Sequence, residues 1–294
     1  MRTVELSHHP ADALRIARQR RASSGRQDRA EFGEELARHE LLLRRATNAR
    51  DRARAQQHWI TWLRAALSIR KLRRLAPAAP PEPVLPPTAA EEKLAAGIAG
   101  EQQVVSEFGR VLGDDWVLVR GYCNRRGEID HVLLGPPGLV AIESKHLNAT
   151  VHCDGDSWRF EKFDRFGNLV ARGSLSDRGG RPPSVQLNEP ADLLEHFLGS
   201  RGGTVAILRV VLLTHPNSRR GSCSHPSVHV ATSALSLAGQ LNDMPPVLGA
   251  AQRARIEELI ARDHRYHEAR RPPAAQQRRQ RGARTGRSAR SASN

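Results

Sequence analysis

The spacing of apolar residues predicts alternating strands and helices in the middle of the chain. Short apolar runs bounded by turn residues are typical of strands that are covered on both faces of a sheet. Such runs occupy residues 116–119, 129–134, 139–143 and 205–213, and weaker ones lie at 149–153 and 228–231. Helical spacing favours helices over 28–75, from 88 onward, near 186–198 and near 249–263. The pattern therefore predicts an α/β domain preceded by a helical region.

A helix that begins after Thr88 carries an acidic residue at a core position. Thr88-Ala-Ala-Glu91 is a capping box, in which each side chain accepts a hydrogen bond from the other residue's backbone amide. The apolar stripe that follows consists of Leu94, Ile98, Val105, Phe108 and Leu112. Glu101 occupies the position that this stripe lacks, where a charged group needs a cationic partner or a metal ion. Gly97 and Gly100 beside it would allow the helix to approach the sheet closely.

Charge and proline content divide the chain into four segments. Residues 1–75 are basic and largely helical, 76–88 form a linker with six prolines, 89–264 form the α/β domain, and 265–294 form a basic tail. The net charge is +15, but residues 1–90 carry +9 and residues 265–294 carry +8, which leaves −2 for residues 91–264. The tail is almost free of apolar residues and is predicted to be disordered. Basic arms of this kind usually bind nucleic acid, and sometimes an anionic membrane surface.

Composition excludes several classes of protein. Hydrophobic residues make up 39% of the chain, which is enough for a buried core, and collagen-like and disulfide-scaffold compositions are excluded. A membrane-spanning run of about 18 apolar residues does not occur, and the first residues lack the apolar stretch of a secretory signal. Cys123, Cys153 and Cys223 form no CxxC pair, so we expect reduced thiols in a cytoplasmic protein.

A predicted hairpin holds the most informative polar residues. Two β-rich runs flank Gly135-Pro136-Pro137-Gly138, whose composition is typical of a hairpin turn. If these four residues form the loop, Leu134 faces Leu139 and Asp130 lies directly opposite Glu143. Directly opposed side chains lie about 4.5–5.5 Å apart at Cβ, so two carboxylates placed there repel each other unless a cation lies between them.

Lys145 adds a positive charge to the same region. Alternation along a strand places Lys145 on the face of Glu143, and the chain contains only four lysines against 42 arginines. Simpler interpretations remain open for each residue. Glu143 and Lys145 would then belong to a solvated strand end, Asp130 would pair with Arg125 or Arg126, and Glu101 would lie at the margin of its helix.

Several segments resemble the nuclease-related domain (NERD) family. The resemblance covers about residues 95–215. It is carried by Gly100-Glu101, Gly127-Glu128-Ile129-Asp130-His131, Val132–Pro136, Gly138–Lys145, Gly155-Asp156-Ser157-Trp158 and the helix led by Gln186. This family is placed with restriction-endonuclease-like folds that bear the PD-(D/E)XK signature, although Ile129 stands where the signature has proline. The resemblance implies a central mixed β-sheet flanked by helices.

The resemblance also implies residue roles and a cofactor. Asp130 and Glu143 would be metal ligands, Lys145 the catalytic lysine, Glu101 an auxiliary acidic residue and Gln186 a polar residue near the site. Oxygen ligands alone favour Mg²⁺ or Mn²⁺ over zinc. The expected function is therefore Mg²⁺-dependent phosphodiester hydrolysis in nucleic acid, with DNA favoured, although enzymatic activity in this family is largely inferred.

Two other functions are compatible with the same sequence. One is a catalytically silent nucleic-acid-binding or scaffold module on the same fold. The other is membrane-surface contact through residues 55–75, where Trp59, Trp62 and Leu63 recur at helical spacing among arginines, and this is the less favoured of the two.

Overall fold

The computed structural model of the chain describes residues 1–7, 9–78, 86–177, 179–203 and 205–270. The chain divides into two compact units, one of residues 11–95 and the other of residues 1–10 together with residues from 96 onward. Part of the predicted linker, 79–85, and the predicted tail from residue 271 lie outside the described residues.

The described residues form six helices. These are α1 (His9–Ala55), α2 (Trp59–Arg74), α3 (Ala89–Val111), α4 (Pro183–Ser200), α5 (Ala234–Asn242) and α6 (Ala250–Glu268). The predicted capping box of α3 is present, since Thr88 N donates to Glu91 Oε2 at 2.9 Å and Glu91 N donates to Thr88 Oγ1 at 3.2 Å. Helix α6 continues to Glu268, four residues into the segment whose composition predicted a tail.

The smaller unit contains a helical hairpin, and its two helices α1 and α2 cover most of the predicted 28–75. Gln57 has a φ of 57°, in the left-handed region, and this residue separates α1 from α2. His39 Nε2 of α1 donates to the carbonyl of Leu72 in α2 at 2.8 Å, which ties the two helices together. In α2, Ala65 and Ile69 are buried, whereas Trp59 is 70% exposed. The apolar residues of α2 therefore lie on two faces of the helix, one buried and one exposed.

Ten strands form two sheets in the larger unit. The strands are β1 (Arg2–Glu5), β2 (Val117–Asn124), β3 (Gly127–Gly135), β4 (Gly138–Lys145), β5 (Thr150–Asp154), β6 (Ser157–Phe163), β7 (Leu169–Ser174), β8 (Ile207–Leu213), β9 (Arg219–Ser224) and β10 (His229–Ala231). The main sheet has the order β1-β2-β3-β4-β8-β10, and the smaller sheet has the order β7-β6-β5-β9. The pairs β2–β3 and β3–β4 are antiparallel, whereas β1–β2, β4–β8 and β8–β10 are parallel. The predicted α/β fold with a mixed sheet is confirmed.

Two apolar layers cover the faces of the main sheet. One layer joins the sheet to α4 and α6, and its helix residues include Leu187, Leu194 and Ile260. The other joins the sheet to α3 and α5, and its residues include Phe108 and Leu237. Neighbouring residues of β4 alternate between the layers, as expected for a strand that is buried on both faces. The sheet is thus flanked by helices on both sides.

The predicted hairpin forms with the predicted register. Leu134 of β3 pairs with Leu139 of β4, and Gly135 also pairs with Gly138, so the connection is shortened to Pro136 and Pro137. A Cβ atom at Gly135 would lie 2.2 Å from the Trp116 ring, so the close packing of this aromatic residue requires glycine. The hairpin therefore directs the far ends of β3 and β4 toward the same region.

Candidate functional site

Four elements of the larger unit bring the singled-out polar residues to one end of the hairpin. Helix α3 supplies Glu101, β3 supplies Asp130, β4 supplies Glu143 and Lys145, and α4 supplies Gln186. Lys145 Nζ donates to Glu143 Oε1 at 2.5 Å and to Gln186 Oε1 at 2.9 Å. The carboxylates of Glu143 and Glu101 both raise the pKa of Asp130, so all five residues belong to one electrostatic group.

Asp130 is the most strongly perturbed acid of this group. Its side-chain Oδ2 accepts a hydrogen bond from the backbone N–H of Ser144 at 2.7 Å. Burial raises the pKa of the Asp130 carboxyl well above its ordinary value, the Glu143 carboxylate raises it further, and Lys145 opposes both effects. The hydrogen bond fixes the carboxyl group beside β4, where additional positive charge would favour its ionised form.

Gly121 in the neighbouring strand breaks the alternation of side chains near Asp130. Its φ is 66°, and a Cβ atom there would lie 2.3 Å from Ser7 Oγ. Val119 and Tyr122 belong to the same apolar layer although they are three residues apart. In a regular strand they would point to opposite faces, so the alternation of β2 side chains shifts by one residue at this glycine. The same shift occurs in β3 around Asp130. The side chains of β2 and β3 therefore do not alternate strictly next to Asp130.

Glu101 has the cationic partner that its place in the α3 stripe requires. Arg120 of β2 donates through Nη2 to Glu101 Oε2 at 3.3 Å and through Nη1 to Glu5 Oε1 at 3.3 Å. Burial raises the pKa of Glu101, and Arg120 only partly offsets that effect. The Glu101 side chain is 18% exposed and pairs with Arg120, which is exposed to the same extent.

Lys145 is held as a cation between oxygen atoms. Burial lowers its pKa, but the Glu143 and Asp130 carboxylates outweigh burial, so the net pKa lies above the ordinary value. Gln186 lies in the first turn of α4 and donates through Nε2 to the carbonyl of Arg181 at 2.6 Å. This second bond orients the amide so that its oxygen faces Lys145.

The donor set of this group fits a hard divalent cation. Asp130 and Glu143 present carboxylate oxygens, which are the ligands that Mg²⁺ and Mn²⁺ prefer. Burial, and after it the Glu143 carboxylate, raises the pKa of Asp130, and a bound cation would favour its ionised form. Zinc does not suit this set, because the ligand positions carry neither thiolate nor imidazole.

His131 follows Asp130 in the chain but belongs to the core. Its side chain is fully buried, and neither ring nitrogen has a hydrogen-bond partner in the part of the chain that the structure describes. Burial lowers the pKa of His131 to about 3, with a smaller contribution from Arg120. The imidazole is therefore neutral at physiological pH.

Three residues that support the site were not identified from the sequence. Arg120 neutralises Glu101, the carbonyl of Arg181 orients Gln186, and Asp177 contributes to the raised pKa of Lys145. An arginine within the apolar strand β2 was the one available signal, because a buried guanidinium implies an acidic partner. Asp177 and Arg181 precede α4 in a loop, where sequence spacing does not indicate contacts.

Comparison with known proteins gives one match. Residues 96–214 match the family model described as nuclease-related domain, and this range contains Glu101, Asp130, Glu143, Lys145 and Gln186. Neither the curated proteins nor the solved structures include a significant match to the chain.

Proposed function

The chain carries a nuclease-related domain, and from this premise we propose that it is a Mg²⁺-dependent nuclease that hydrolyses phosphodiester bonds, with DNA as the favoured substrate. The domain itself indicates a nuclease-related function, and with it a nucleic-acid partner and a divalent metal ion. The single observation that carries the finer proposal is the convergence of Asp130, Glu143 and Lys145 at one strand end.

Each residue of the site has a role in this proposal. Asp130 and Glu143 hold the metal ion, Mg²⁺ or in its place Mn²⁺. When bound, such an ion polarises a phosphoryl oxygen and lowers the pKa of its water ligand. Lys145 is a protonated donor that orients the attacking water or stabilises the charge that develops on the phosphate. Gln186 positions Lys145, and Glu101 is the auxiliary acidic residue, held by Arg120.

The basic flanks supply the affinity for nucleic acid in this proposal. Residues 91–264 carry a net charge of −2, so this part of the chain attracts phosphates weakly. Residues 1–90 carry +9, and in α2 the exposed Arg64, Arg70, Lys71, Arg73 and Arg74 stand beside exposed tryptophans. Cationic side chains pair with phosphates and aromatic rings stack on bases, so this helix suits a nucleic-acid strand.

The test is cleavage of nucleic acid by wild type and by Lys145→Ala. Duplex DNA, single-stranded DNA and RNA are incubated with each protein in Mg²⁺, with EDTA added in parallel. We expect metal-dependent cleavage by wild type and a loss of about 10²-fold or more in Lys145→Ala, because a charged transition-state donor is removed. Lys162→Ala is the matched control, since Lys162 is an exposed lysine of β6 in the other sheet.

Equal activity of wild type and Lys145→Ala on all three substrates would contradict the proposal. If the chain is instead a catalytically silent binding module, Asp130→Asn and Glu143→Gln should leave nucleic-acid binding unchanged. Wild type should then show no cleavage and no divalent-metal affinity by calorimetry. Measuring binding, cleavage and metal affinity on the same variants therefore separates the two functions.

A further inference from the structure

A second group of metal-ligating side chains lies where α6 packs against β2. Cys123 of β2 and His264 and Glu268 of α6 each direct one ligand atom to a common region, and these atoms all lie within 4.8 Å of one another. Within the described ranges, no other group of three histidine, cysteine or acidic residues is this compact. Cys123 and His264 are buried, and Glu268 is partly exposed.

The helix and the strand hold these three groups in place. His264 and Glu268 are four residues apart on α6 and so lie on one face of the helix. Tyr122 precedes Cys123 in β2, and Asp263 precedes His264 in α6. The Tyr122 hydroxyl donates to Asp263 Oδ2 at 2.5 Å. This buried bond fixes α6 against β2, so the ligand atoms are positioned by side chains that do not belong to the group.

Two hydrogen bonds already join the members of this group. The Cys123 thiol donates to Glu268 Oε2 at 3.1 Å, and the Cys123 backbone N–H donates to His264 Nδ1 at 3.2 Å. The thiol proton thus already points at a carboxylate that can accept it when a metal ion binds. His264 accepts at Nδ1, so a lone pair is present there, and an ion that binds it would displace the backbone N–H.

The donor chemistry selects the ion. A thiolate, an imidazole and a carboxylate are the ligands that zinc binds, at about 2.3 Å for sulfur and about 2.0–2.2 Å for nitrogen and oxygen. Tetrahedral geometry at those lengths places donor atoms roughly 3.3–3.7 Å apart, so small side-chain movements bring this group onto one ion. Mg²⁺, which prefers oxygen ligands, is disfavoured here.

We propose that Cys123, His264 and Glu268 bind one Zn²⁺ ion, with a fourth position open to water, and that the ion clamps α6 onto β2. On binding, the Cys123 thiol loses its proton to solvent through Glu268, and the thiolate forms a bond to zinc without any change of oxidation state. The proposal uses none of the nuclease residues and stands or falls independently of the proposed nuclease function.

The test measures zinc and cobalt binding to the full chain. Apo protein prepared with a chelator is titrated with Zn²⁺ by calorimetry and with Co²⁺ by absorption spectroscopy. We expect one tight Zn²⁺ per chain, a thiolate-to-cobalt charge-transfer band, and a higher melting temperature with zinc. Cys123→Ser should abolish the band, and Glu268→Gln, at a partly exposed position, should fold normally and lose about tenfold or more in zinc affinity.

Matched controls distinguish this site from other zinc binding. Cys223→Ser removes another cysteine, and Asp130→Asn with Glu143→Gln removes the carboxylates of the nuclease site, and each should keep the cobalt band and the zinc stoichiometry. A cobalt complex of wild type without the thiolate band would overturn the proposal. So would zinc affinity that is unchanged in both Cys123→Ser and Glu268→Gln.

Discussion

At the scale of single residues, the candidate site is a cluster of charges that the fold holds close together at a cost. Asp130 accepts from Ser144 N, Glu143 accepts from Lys145, and Glu101 accepts from Arg120, so each acid has a donor. Even so, the pKa values of Asp130 and Glu101 lie above their ordinary range, because burial dominates. Ionising such a buried acid costs free energy and destabilises the fold, and a bound cation would offset that cost.

Replacing Asp130 tests this cost directly. An acid with a raised pKa binds its proton more tightly in the folded protein, so folding loses free energy as the pH rises from the ordinary titration range through the raised pKa. Asp130→Asn should therefore raise the free energy of unfolding at pH 7–8 in EDTA, and with it the melting temperature. The same variant should lose the stabilisation that Mg²⁺ gives to wild type.

Asp156→Asn provides a control of opposite sign. Hydrogen bonds from Ser184 and Ser227 lower the pKa of Asp156, so its ionised form stabilises the fold and its replacement should lower the melting temperature. A lower melting temperature for Asp130→Asn in EDTA would show that the carboxylate is structural.

His131 makes a separate contribution that depends on pH. Its pKa is lowered to about 3 by burial and by Arg120, while in the unfolded chain it titrates near 6.5. Burial of the neutral imidazole therefore makes its full contribution to the free energy of unfolding above pH 6.5. This contribution is lost as the pH falls toward 3, by up to about 1.4 kcal/mol per pH unit. His131→Leu should lose less stability than wild type between pH 7 and pH 5 in urea denaturation. Identical losses in both proteins would rule out this role, because the neighbouring acids are common to the two.

At the scale of elements, the sequence predicted what periodicity and capping rules can detect. The α3 capping box and the register of β3 with β4 are confirmed. Strands β1, β6, β7 and β9 were not predicted, because they are short or carry many polar residues on exposed faces. The positive φ of Gly121 in β2 also escaped prediction, because only the structure shows it.

Gly97 and Gly100 of α3 give a matched test of how closely the helix approaches the sheet. A Cβ atom at Gly100 would lie 2.7 Å from Thr214 Oγ1 and 2.9 Å from His146 Nδ1, whereas Gly97 has open space around it. Close approach is therefore confirmed at Gly100 and not at Gly97. We expect Gly100→Ala to destabilise the protein by about 1–3 kcal/mol and Gly97→Ala to stabilise it by up to about 1 kcal/mol through helix propensity. Denaturant unfolding checks both, and equal effects would contradict the packing argument.

At the scale of the whole molecule, charge is separated from the proposed chemistry. The segments that carry +9 and +8 flank residues 91–264, which carry −2 and contain the candidate site.

None of the described helices has the length and hydrophobicity of a membrane-spanning segment. The exposed tryptophans and arginines of α2 also suit an anionic lipid surface. Flotation of the full chain with anionic and with neutral vesicles decides whether this helix binds lipid. We expect no flotation with either, because the proposed function assigns this helix to nucleic acid.

Salt dependence measures which segment holds nucleic acid. Each phosphate contact that is lost reduces the slope of log K against log salt by about 0.9 for duplex DNA. Replacing Arg70, Lys71, Arg73 and Arg74 of α2 by glutamine should therefore weaken DNA binding and lower this slope by up to about 3.6 units. The melting temperature should not change, because all four side chains are exposed.

A second fourfold variant places the same loss of charge in the smaller sheet. It replaces the exposed arginines Arg159, Arg172, Arg219 and Arg220 by glutamine. If the flanks bind DNA and the core cuts it, this variant keeps most of the affinity and the salt slope. The α2 variant, in contrast, keeps its cleavage rate only at saturating DNA. An equal or larger loss of affinity in the smaller-sheet variant would place the phosphate contacts on the α/β domain, and the net charge of the arms would then say nothing about where DNA is held.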